Sequence, residues 1–243
     1  NVAKAGDQIL MVLPKYEGSP FMDKRIRQAL TLALDREAII RIVYGGKTGW
    51  ASNDTHMAPF NEDFLKKQEP RDIEKAKKLL AEAGYKNGIT LPTFYFGPYI
   101  PEISRVFSVA AESVKEAGIT MKIEERPMAG YRKWRVEDKK KTRKHRFAMG
   151  PVGPRNPAMN LFRMARPTYN ESGYWHPCPE GDRYIALYKK AMRTGDPAAR
   201  REIYHEMQRI LQEEVPAVFL TGRCEAIAFK SNVQGLKAHS QHW

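Results

Sequence analysis

The sequence predicts an α/β domain in which helices cover an open, mainly parallel sheet, and three observations lead to this fold class. Short apolar runs alternate along the chain with longer segments whose apolar residues recur at helical spacing. Aspartates stand directly before several of these longer segments, where they can cap free backbone N–H groups. Glycines follow the segments at positions where a helix can end. Alternation of this kind is typical of βαβ units.

The clearest of these patterns lies in residues 20–40. Asp23 is placed to cap a helix, and Asp35 is placed to cap a second one directly after it. Gly45 and Gly46 form the stop that follows. The apolar face of the first helix consists of Ile26, Ala29, Leu30, Ala33 and Leu34.

The remaining elements continue the alternation. Further helices are predicted at residues 71–83, 101–117, 129–138, 157–164, 181–193 and 197–214. Strands are predicted at residues 9–13, 91–96, 119–124, 146–149, 217–220 and 226–230. Gly84 and Gly118 are expected helix stops, and Asp196 is expected to cap the last helix. The loop at residues 46–64 is long enough to suggest a function of its own.

Composition and charge limit the function classes. With 42% hydrophobic and 28% charged residues, the chain can bury a core as globular domains do. Its 41 basic and 28 acidic residues leave a formal net charge of +13, which a basic nucleic-acid- or anion-binding module would share. The densest basic run, residues 139–146, lies between a predicted helix and a predicted strand, so we interpret it as a helix end and a connecting loop. No nucleic-acid-binding signature accompanies it, and we expect no nucleic-acid partner.

The cysteines and the known catalytic motifs give no sign of an enzyme. Cys178 and Cys224 lie far apart and outside any CxxC pair, which argues against a zinc site. They could form one disulfide or remain two free thiols. The chain has no GxSxG, HExxH, P-loop or Rossmann glycine signature, and its histidines are scattered. We therefore expect no enzyme activity, no metal and no cofactor.

The first candidate binding site is the loop GPVGPRNP at residues 150–157, which follows the predicted strand at 146–149. In open α/β sheets, ligands bind outside the carboxyl ends of strands. Glycines let the backbone approach a ligand, and an arginine offers a planar donor fork to a carboxylate or phosphate. The candidate residues of this loop are Gly150, Val152, Gly153, Arg155 and Asn156. The alternative is a rigid surface turn with a solvated arginine.

Aromatic side chains provide further candidates for the wall of a binding site. Trp50 lies in the long loop, Tyr95 lies near a predicted strand end, and Tyr169 with Asn170 lies in a loop before the last two helices. Aromatic rings cover apolar or sugar faces of a ligand while a polar tip holds a hydrogen bond. The alternative for each ring is packing in the core.

Three segments resemble those of a known family and keep its order along the chain. They are residues 20–46, which end in VYGG, residues 71–88, RDIEKAKKLLAEAGYKNG, and residues 196–220, DPAARREIYHEMQRILQEEVPAVFL. The chain resembles the extracytoplasmic solute-binding proteins of ABC importers, family 5, which is the peptide, nickel and opine class. This resemblance implies a type II periplasmic-binding-protein-like lobe. It also implies a receptor that clamps a solute between two lobes and delivers it to a membrane permease.

The resemblance also implies how the chain is organised. Family members are longer, and the matching segments belong to their second half, so the first lobe is expected to be absent here. Residues 1–20 would carry a strand that enters from the hinge, residues 21–232 the second, C-terminal lobe, and residues 233–243 a strand returning toward the hinge. A periplasmic or extracellular location at the cell envelope is implied by the resemblance alone.

The candidate loop departs from the family's pattern. Alignment on Pro157 puts Gly150 where the family commonly has tryptophan and Gly153 where it has aspartate. In peptide-binding members that aspartate pairs with the ligand's α-amino group. Its absence, together with Arg155, favours a ligand with an anionic or hydroxyl-rich end, such as a modified peptide, an opine or a sugar conjugate. Oligosaccharides and nickel complexes are the alternatives within the family. The partners implied are this solute, the permease subunits and the first lobe.

Overall fold

The computed structural model describes residues 2–13, 15–66, 69–131, 133, 148–152, 157–165, 175, 178–226, 230 and 232–233. Within them the helices are α1 (Lys24–Ala33), α2 (Arg36–Tyr44), α3 (Ile73–Glu82), α4 (Ile103–Ser113), α5 (Pro157–Ala165), α6 (Pro179–Arg193) and α7 (Pro197–Glu214). The strands are β1 (Val2–Val12), β2 (Gly49–Ala51), β3 (Ile89–Thr90), β4 (Phe94–Phe96), β5 (Ile119–Thr120), β6 (Ile123–Glu125), β7 (Ala148–Val152) and β8 (Ala217–Ala226). None of the helices in this part of the chain combines the length and the apolar character that crossing a membrane requires.

The strands form one four-stranded sheet in the order β2-β8-β1-β7 and two small two-stranded sheets. The small sheets pair β3 with β5 and β4 with β6 in parallel, and β4 lies beside β7. The α/β class is confirmed, but the expectation of a mainly parallel sheet holds only for the small sheets, since β1, β2, β7 and β8 pair antiparallel. Strands buried on both faces read as continuous apolar runs in either arrangement, so the sequence pattern did not distinguish them.

The four-stranded sheet is covered by helices on both faces. Successive residues of β1 alternate between two cores: Ile9 and Met11 belong to the core under α1 to α4, and Leu10 and Val12 belong to the core under α5 to α7. The residues of β8 divide in the same way, because side chains of a strand point alternately to opposite faces. The result is two helical layers with separate apolar cores on one sheet.

The predicted helix boundaries follow the cap residues. Asp23 accepts a hydrogen bond from the Arg25 backbone at 2.8 Å, and Asp196 accepts one from the Ala199 backbone at 2.6 Å. Gly45 ends α2 in the left-handed conformation, with φ at 59°. The predicted strand at 91–96 is shifted, since the chain forms β3 and β4 at its two ends. The strand predicted at 217–220 continues as β8 to Ala226, and residues 227–229 of the strand predicted at 226–230 lie outside the described residues. The basic run at 139–146 and most of the helix predicted at 129–138 lie outside the described residues.

The long loop is mostly a structural segment. Residues 52–58 are all buried. Gln8 of β1 donates to the Ser52 hydroxyl at 3.0 Å, and Arg36 of α2 pairs with Asp54 at 2.7 Å. The Asp54 carboxylate also accepts a hydrogen bond from the Phe219 backbone at 3.0 Å. These bonds hold the loop against β8 beyond the end of β2. The packing of the fold is therefore enough to explain why the loop is long.

Candidate ligand-binding edge

The candidate site lies at the ends of β4 and β7, beside the middle of β1 and β8, and we call this surface the carboxyl edge. The register shows the direction of β7 and β8: Val152 and Gly222 both pair with Gln8 in the middle of β1, whereas Ala217 pairs with Val12 at its end and Ala226 pairs with Val2 at its start. Glu102 follows β4 and lies 3.6 Å from Arg223 of β8, so the segment after β4 reaches the same edge. The rule that ligands bind at the carboxyl ends of strands therefore selects one surface.

The candidates in the GPVGPRNP loop are only partly described. Gly150 and Val152 belong to β7, which extends beyond the predicted end at residue 149, so both are strand residues rather than loop residues. Gly153, Arg155 and Asn156 lie outside the described residues, as do Tyr169 and Asn170. The roles of these five residues stay predictions. What the structure adds is that β7, which precedes Gly153, ends at the carboxyl edge.

Trp50 is fixed at the carboxyl edge in close contact with β8. It pairs with Gly222, and a Cβ atom at Gly222 would lie only 2.0 Å from the indole ring. The Phe60 ring stands at 83° to the indole with centroids 6.1 Å apart, and the Thr221 hydroxyl donates to the Trp50 carbonyl at 2.9 Å. The indole stays partly exposed. Only glycine at position 222 leaves room for this packing, and a glycine inside a strand is the sequence signal that could have indicated it.

Tyr95 lies in the middle of β4, between two buried phenylalanines. The Arg126 guanidinium lies 4.3 Å from the centroid of its ring, a cation–π contact. Nearby, the ring of Tyr99 meets that of Tyr131 edge-on at 5.6 Å. Tyr95 is therefore a partly exposed aromatic residue whose ring already contacts one charged side chain, that of Arg126. Its predicted contact with a ligand is not tested by this arrangement.

A charged cluster, which sequence reasoning missed, also lies at the carboxyl edge. The Arg223 guanidinium is 3.4 Å from Asp7 and 3.6 Å from Glu102. Asp7 is 1% exposed, whereas the side chains of Arg223 and Glu102 are about one-fifth exposed. Tyr44 lies beside them, and burial, reinforced by the negative charge of Glu102, raises the pKa of its hydroxyl. The four residues come from separate segments, and their proximity depends on the strand register.

Among the described residues, the cysteines and acidic side chains form no separate metal-binding or disulfide site. Cys178 and Cys224 are free cysteines, the second of the two alternatives left by the sequence. Cys178 caps α6, since its sulfur accepts a hydrogen bond from the Gly181 backbone at 3.4 Å, and burial raises the pKa of the thiol. In the described part of the chain, no group of three or more His, Cys, Asp or Glu residues is arranged to hold a metal ion.

Two surface cavities lie away from the carboxyl edge. The first, of about 370 Å³, lies between α1, α3 and α7 and is lined by ion-paired side chains such as Arg36 and Asp54. The second, of about 410 Å³, lies among α5, α6, α7 and the loop at residues 61–63.

Comparisons with known proteins agree with this fold. The family model of the bacterial extracellular solute-binding proteins, family 5 (middle), matches residues 2–168. The di/tripeptide-binding protein 1 of Pseudomonas aeruginosa is 28% identical over 221 residues, which cover 88% of this chain and 40% of that protein. The glutathione-binding protein of Pectobacterium atrosepticum is 28% identical over 210 residues, covering 83% of this chain and 39% of that protein.

The solved structure of the dipeptide-binding protein from Pseudoalteromonas sp. SM9913 in complex with Met-Leu has a TM-score of 0.74 at 22% identity, covering 92% of this chain and 44% of that one. This agreement confirms the type II periplasmic-binding-protein-like fold. The chain spans about 40% of the length of the curated relatives it matches. Because the family model covers more than half of the sequence, from Val2 onward, the chain belongs to the bacterial extracellular solute-binding proteins of family 5.

Proposed function

We propose that this chain forms the second lobe of a receptor that binds a peptide or peptide-like solute and delivers it to the permease of an ABC importer. The match to the family model over residues 2–168 carries this proposal. Two similar proteins are named for di- and tripeptides and for glutathione, so short peptides and their modified forms are the solutes to consider first. Such a receptor would act in the periplasm or outside the cell.

The geometry of the sheet supports the two-lobe proposal. β1 and β8 extend past the carboxyl edge, as far as Val2 and Ala226, so both ends of the central antiparallel pair point toward the same side. A second lobe connected there would face the edge and form the opposite wall of a cleft. Closing two lobes around a solute removes it from water on both sides and provides most of the burial that a small ligand needs.

The ligand class follows from the chemistry expected at that wall. Gly153 cannot supply a carboxylate, and Arg155 offers a bidentate donor to an anionic group. We therefore favour a solute with an anionic or hydroxyl-rich end, such as a modified peptide or an opine. Within the family, an oligosaccharide or a nickel complex is the alternative. Trp50 supplies an aromatic surface for the apolar part of the solute.

The test is a binding experiment on the natural full-length protein. Native mass spectrometry first identifies any solute that is retained, and isothermal titration calorimetry then measures tri-alanine and glutathione after that solute has been removed. We expect saturable one-to-one binding of at least one of these peptides. The proposal is wrong if neither peptide binds and no solute is retained. Steeply salt-dependent binding of a DNA duplex in their place would favour the basic nucleic-acid-binding alternative.

A further inference from the structure

We propose that the end of α6 and the start of α7 form a contact surface for an anionic phospholipid bilayer. We call it the basic surface, and its residues are Lys189, Lys190, Met192, Arg193 and Arg200. The inference goes beyond the proposed function, because it concerns the membrane beside which the receptor would work rather than the solute. It rests on the position, exposure and charge of these five side chains, none of which belongs to the candidate site.

The exposed side of α6 carries three of the four cations. The buried side of this helix contains Tyr184 and Leu187, which pack in the core under α5 to α7. Lys189 and Arg193 are four residues apart, so they project from the same side of the helix, and both are exposed. Lys190 is also exposed and lies three residues before Arg193, which makes these two side chains neighbours. The three cations therefore lie together on the solvent side of the last turns of α6.

Arg200 of α7 extends this group across the turn between the two helices. Its guanidinium donates a hydrogen bond to the Thr194 carbonyl at 3.2 Å, so it lies beside the end of α6. Arg200 and Met192 both line the cavity of about 410 Å³, which places the methionine next to the cations. Met192 is 45% exposed, although methionine side chains are normally buried. The basic surface therefore combines four cations with one exposed apolar side chain.

The cations of the basic surface make no ion pair within the part of the chain that the structure describes. Other cations of the same two helices are paired: Arg183 lies 2.5 Å from Glu206, and Arg201 lies 3.0 Å from Glu62. The nearest acidic residue along the chain, Asp196, caps the start of α7. The positive charge of the basic surface is therefore available for an anionic partner.

The helix dipole explains only part of this arrangement. Lys190 and Arg193 lie in the last turn of α6, where positive charges are favourable. Arg200 lies in the first turn of α7, where the dipole disfavours a positive charge. The dipole also gives no reason for an exposed methionine between the cations. A partner that is both anionic and apolar accounts for the complete set.

An anionic bilayer matches both features of the basic surface. Each lysine or arginine near an anionic lipid surface strengthens binding by about fivefold. An apolar side chain such as that of Met192 can enter the boundary between headgroups and acyl chains. The phosphates of a DNA duplex would match the cations alone. We therefore assign the basic surface to a bilayer and treat DNA as the alternative that the experiment must exclude.

The test is co-sedimentation of the natural full-length protein with lipid vesicles. Vesicles of phosphatidylcholine alone are compared with vesicles in which about one third of the lipid is phosphatidylglycerol. We expect binding that requires phosphatidylglycerol and weakens as the salt concentration rises. Lys189→Gln/Lys190→Gln removes two cations and should weaken this binding by about 10-fold to 30-fold. Met192→Ser should weaken it by about threefold, because less apolar surface enters the bilayer.

A matched variant separates the basic surface from the net charge of the protein. Lys77→Gln/Lys78→Gln removes two adjacent exposed lysines from α3 and lowers the net charge by the same amount. Its binding to the vesicles should stay within about twofold of the parent protein. Thermal unfolding of each variant checks that it folds like the parent. Calorimetry with tri-alanine and glutathione should give the parent's solute affinity for every variant.

Each outcome has a distinct meaning. Loss of phosphatidylglycerol-dependent binding in Lys189→Gln/Lys190→Gln, but not in Lys77→Gln/Lys78→Gln, supports the basic surface. Equal losses in the two double variants, or equal binding of the parent protein to both kinds of vesicle, would overturn it. Binding of a DNA duplex without binding of vesicles would overturn it in favour of a nucleic-acid surface. Solute binding is measured separately, so failure of the basic surface leaves the proposed function standing.

Discussion

Gly222 controls the position of Trp50, although a glycine contributes no contact of its own. The indole rests on the backbone of β8 so closely that a Cβ atom at position 222 would overlap it. Trp50 is the aromatic side chain that we assign to the ligand wall. Its orientation depends on the absence of a Cβ atom at Gly222 in the neighbouring strand. A side chain introduced there would push the ring off the sheet or bend the strand.

We therefore predict that Gly222→Ala destabilises the protein by about 1–3 kcal/mol, the range for overpacking a filled site. Urea unfolding followed by tryptophan fluorescence measures the stability. Gly195→Ala is the matched control, because nothing lies within 4 Å of the Cβ position there, and it should change stability by less than about 0.5 kcal/mol. Equal stability of the two variants would contradict the packing that we describe.

At the level of elements, α7 shows how strongly one residue defines a helix start. Asp196 accepts the Ala199 N–H at 2.6 Å, and Pro197 occupies the first turn, where no N–H is needed. The helix then packs the apolar face that contains Tyr204, Met207 and Leu211 into the core under α5 to α7. Loss of the cap exposes unpaired N–H groups at the start of this long helix.

Asp196→Ala should consequently lower the free energy of unfolding by about 0.5–2 kcal/mol. Asp196→Ser restores a capping oxygen and should recover most of this loss. Glu202→Ala removes an exposed carboxylate from the same helix, 3.8 Å from His205, and serves as the control with a change below about 0.5 kcal/mol. Chemical denaturation measures all three variants, and an unchanged stability of Asp196→Ala would refute the capping role.

The same helix shows what the sequence could predict about the fold. Helical periodicity, aspartate caps and glycine stops are local signals, so the bounds of α7 agree with the prediction of 197–214, and α1 and α2 begin after the expected aspartates. Strand direction is a property of the whole sheet. The ten-residue strand β8 and its antiparallel pairing with β1 join residues more than 200 positions apart, which no local pattern specifies.

The same distinction between local signals and properties of the whole sheet applies to the candidate site. Trp50 could be selected from its residue type and its place in a long loop, and β7 leads toward the carboxyl edge as the strand rule predicts. Asp7, Tyr44, Glu102 and Arg223 could not be selected, because the chemistry of the cluster arises only when β1, β8, α2 and α4 converge. Buried loop residues such as Asp54 support the fold, whereas Trp50 of the same loop stays a predicted ligand contact.

At the scale of the whole molecule, the solute-binding site is assigned to one location, the carboxyl edge. In this sheet, which helices cover on both faces, we propose that a solute binds at the carboxyl edge, and β1 and β8 both extend past that edge. The cavity between α1, α3 and α7 is the competing location, because it is concave and lined by polar groups. A solute bound at one of these places would protect different backbone amides from exchange.

Hydrogen–deuterium exchange of the natural full-length protein, with and without saturating tri-alanine or glutathione, whichever binds, distinguishes the two locations most directly. We predict slower exchange in β2, in residues 97–102 and at the end of β8, where Trp50, Glu102 and Arg223 lie. The amides of α1 and α7 that line the competing cavity should exchange as before. Protection of α1 and α7 without protection at the carboxyl edge would contradict the account.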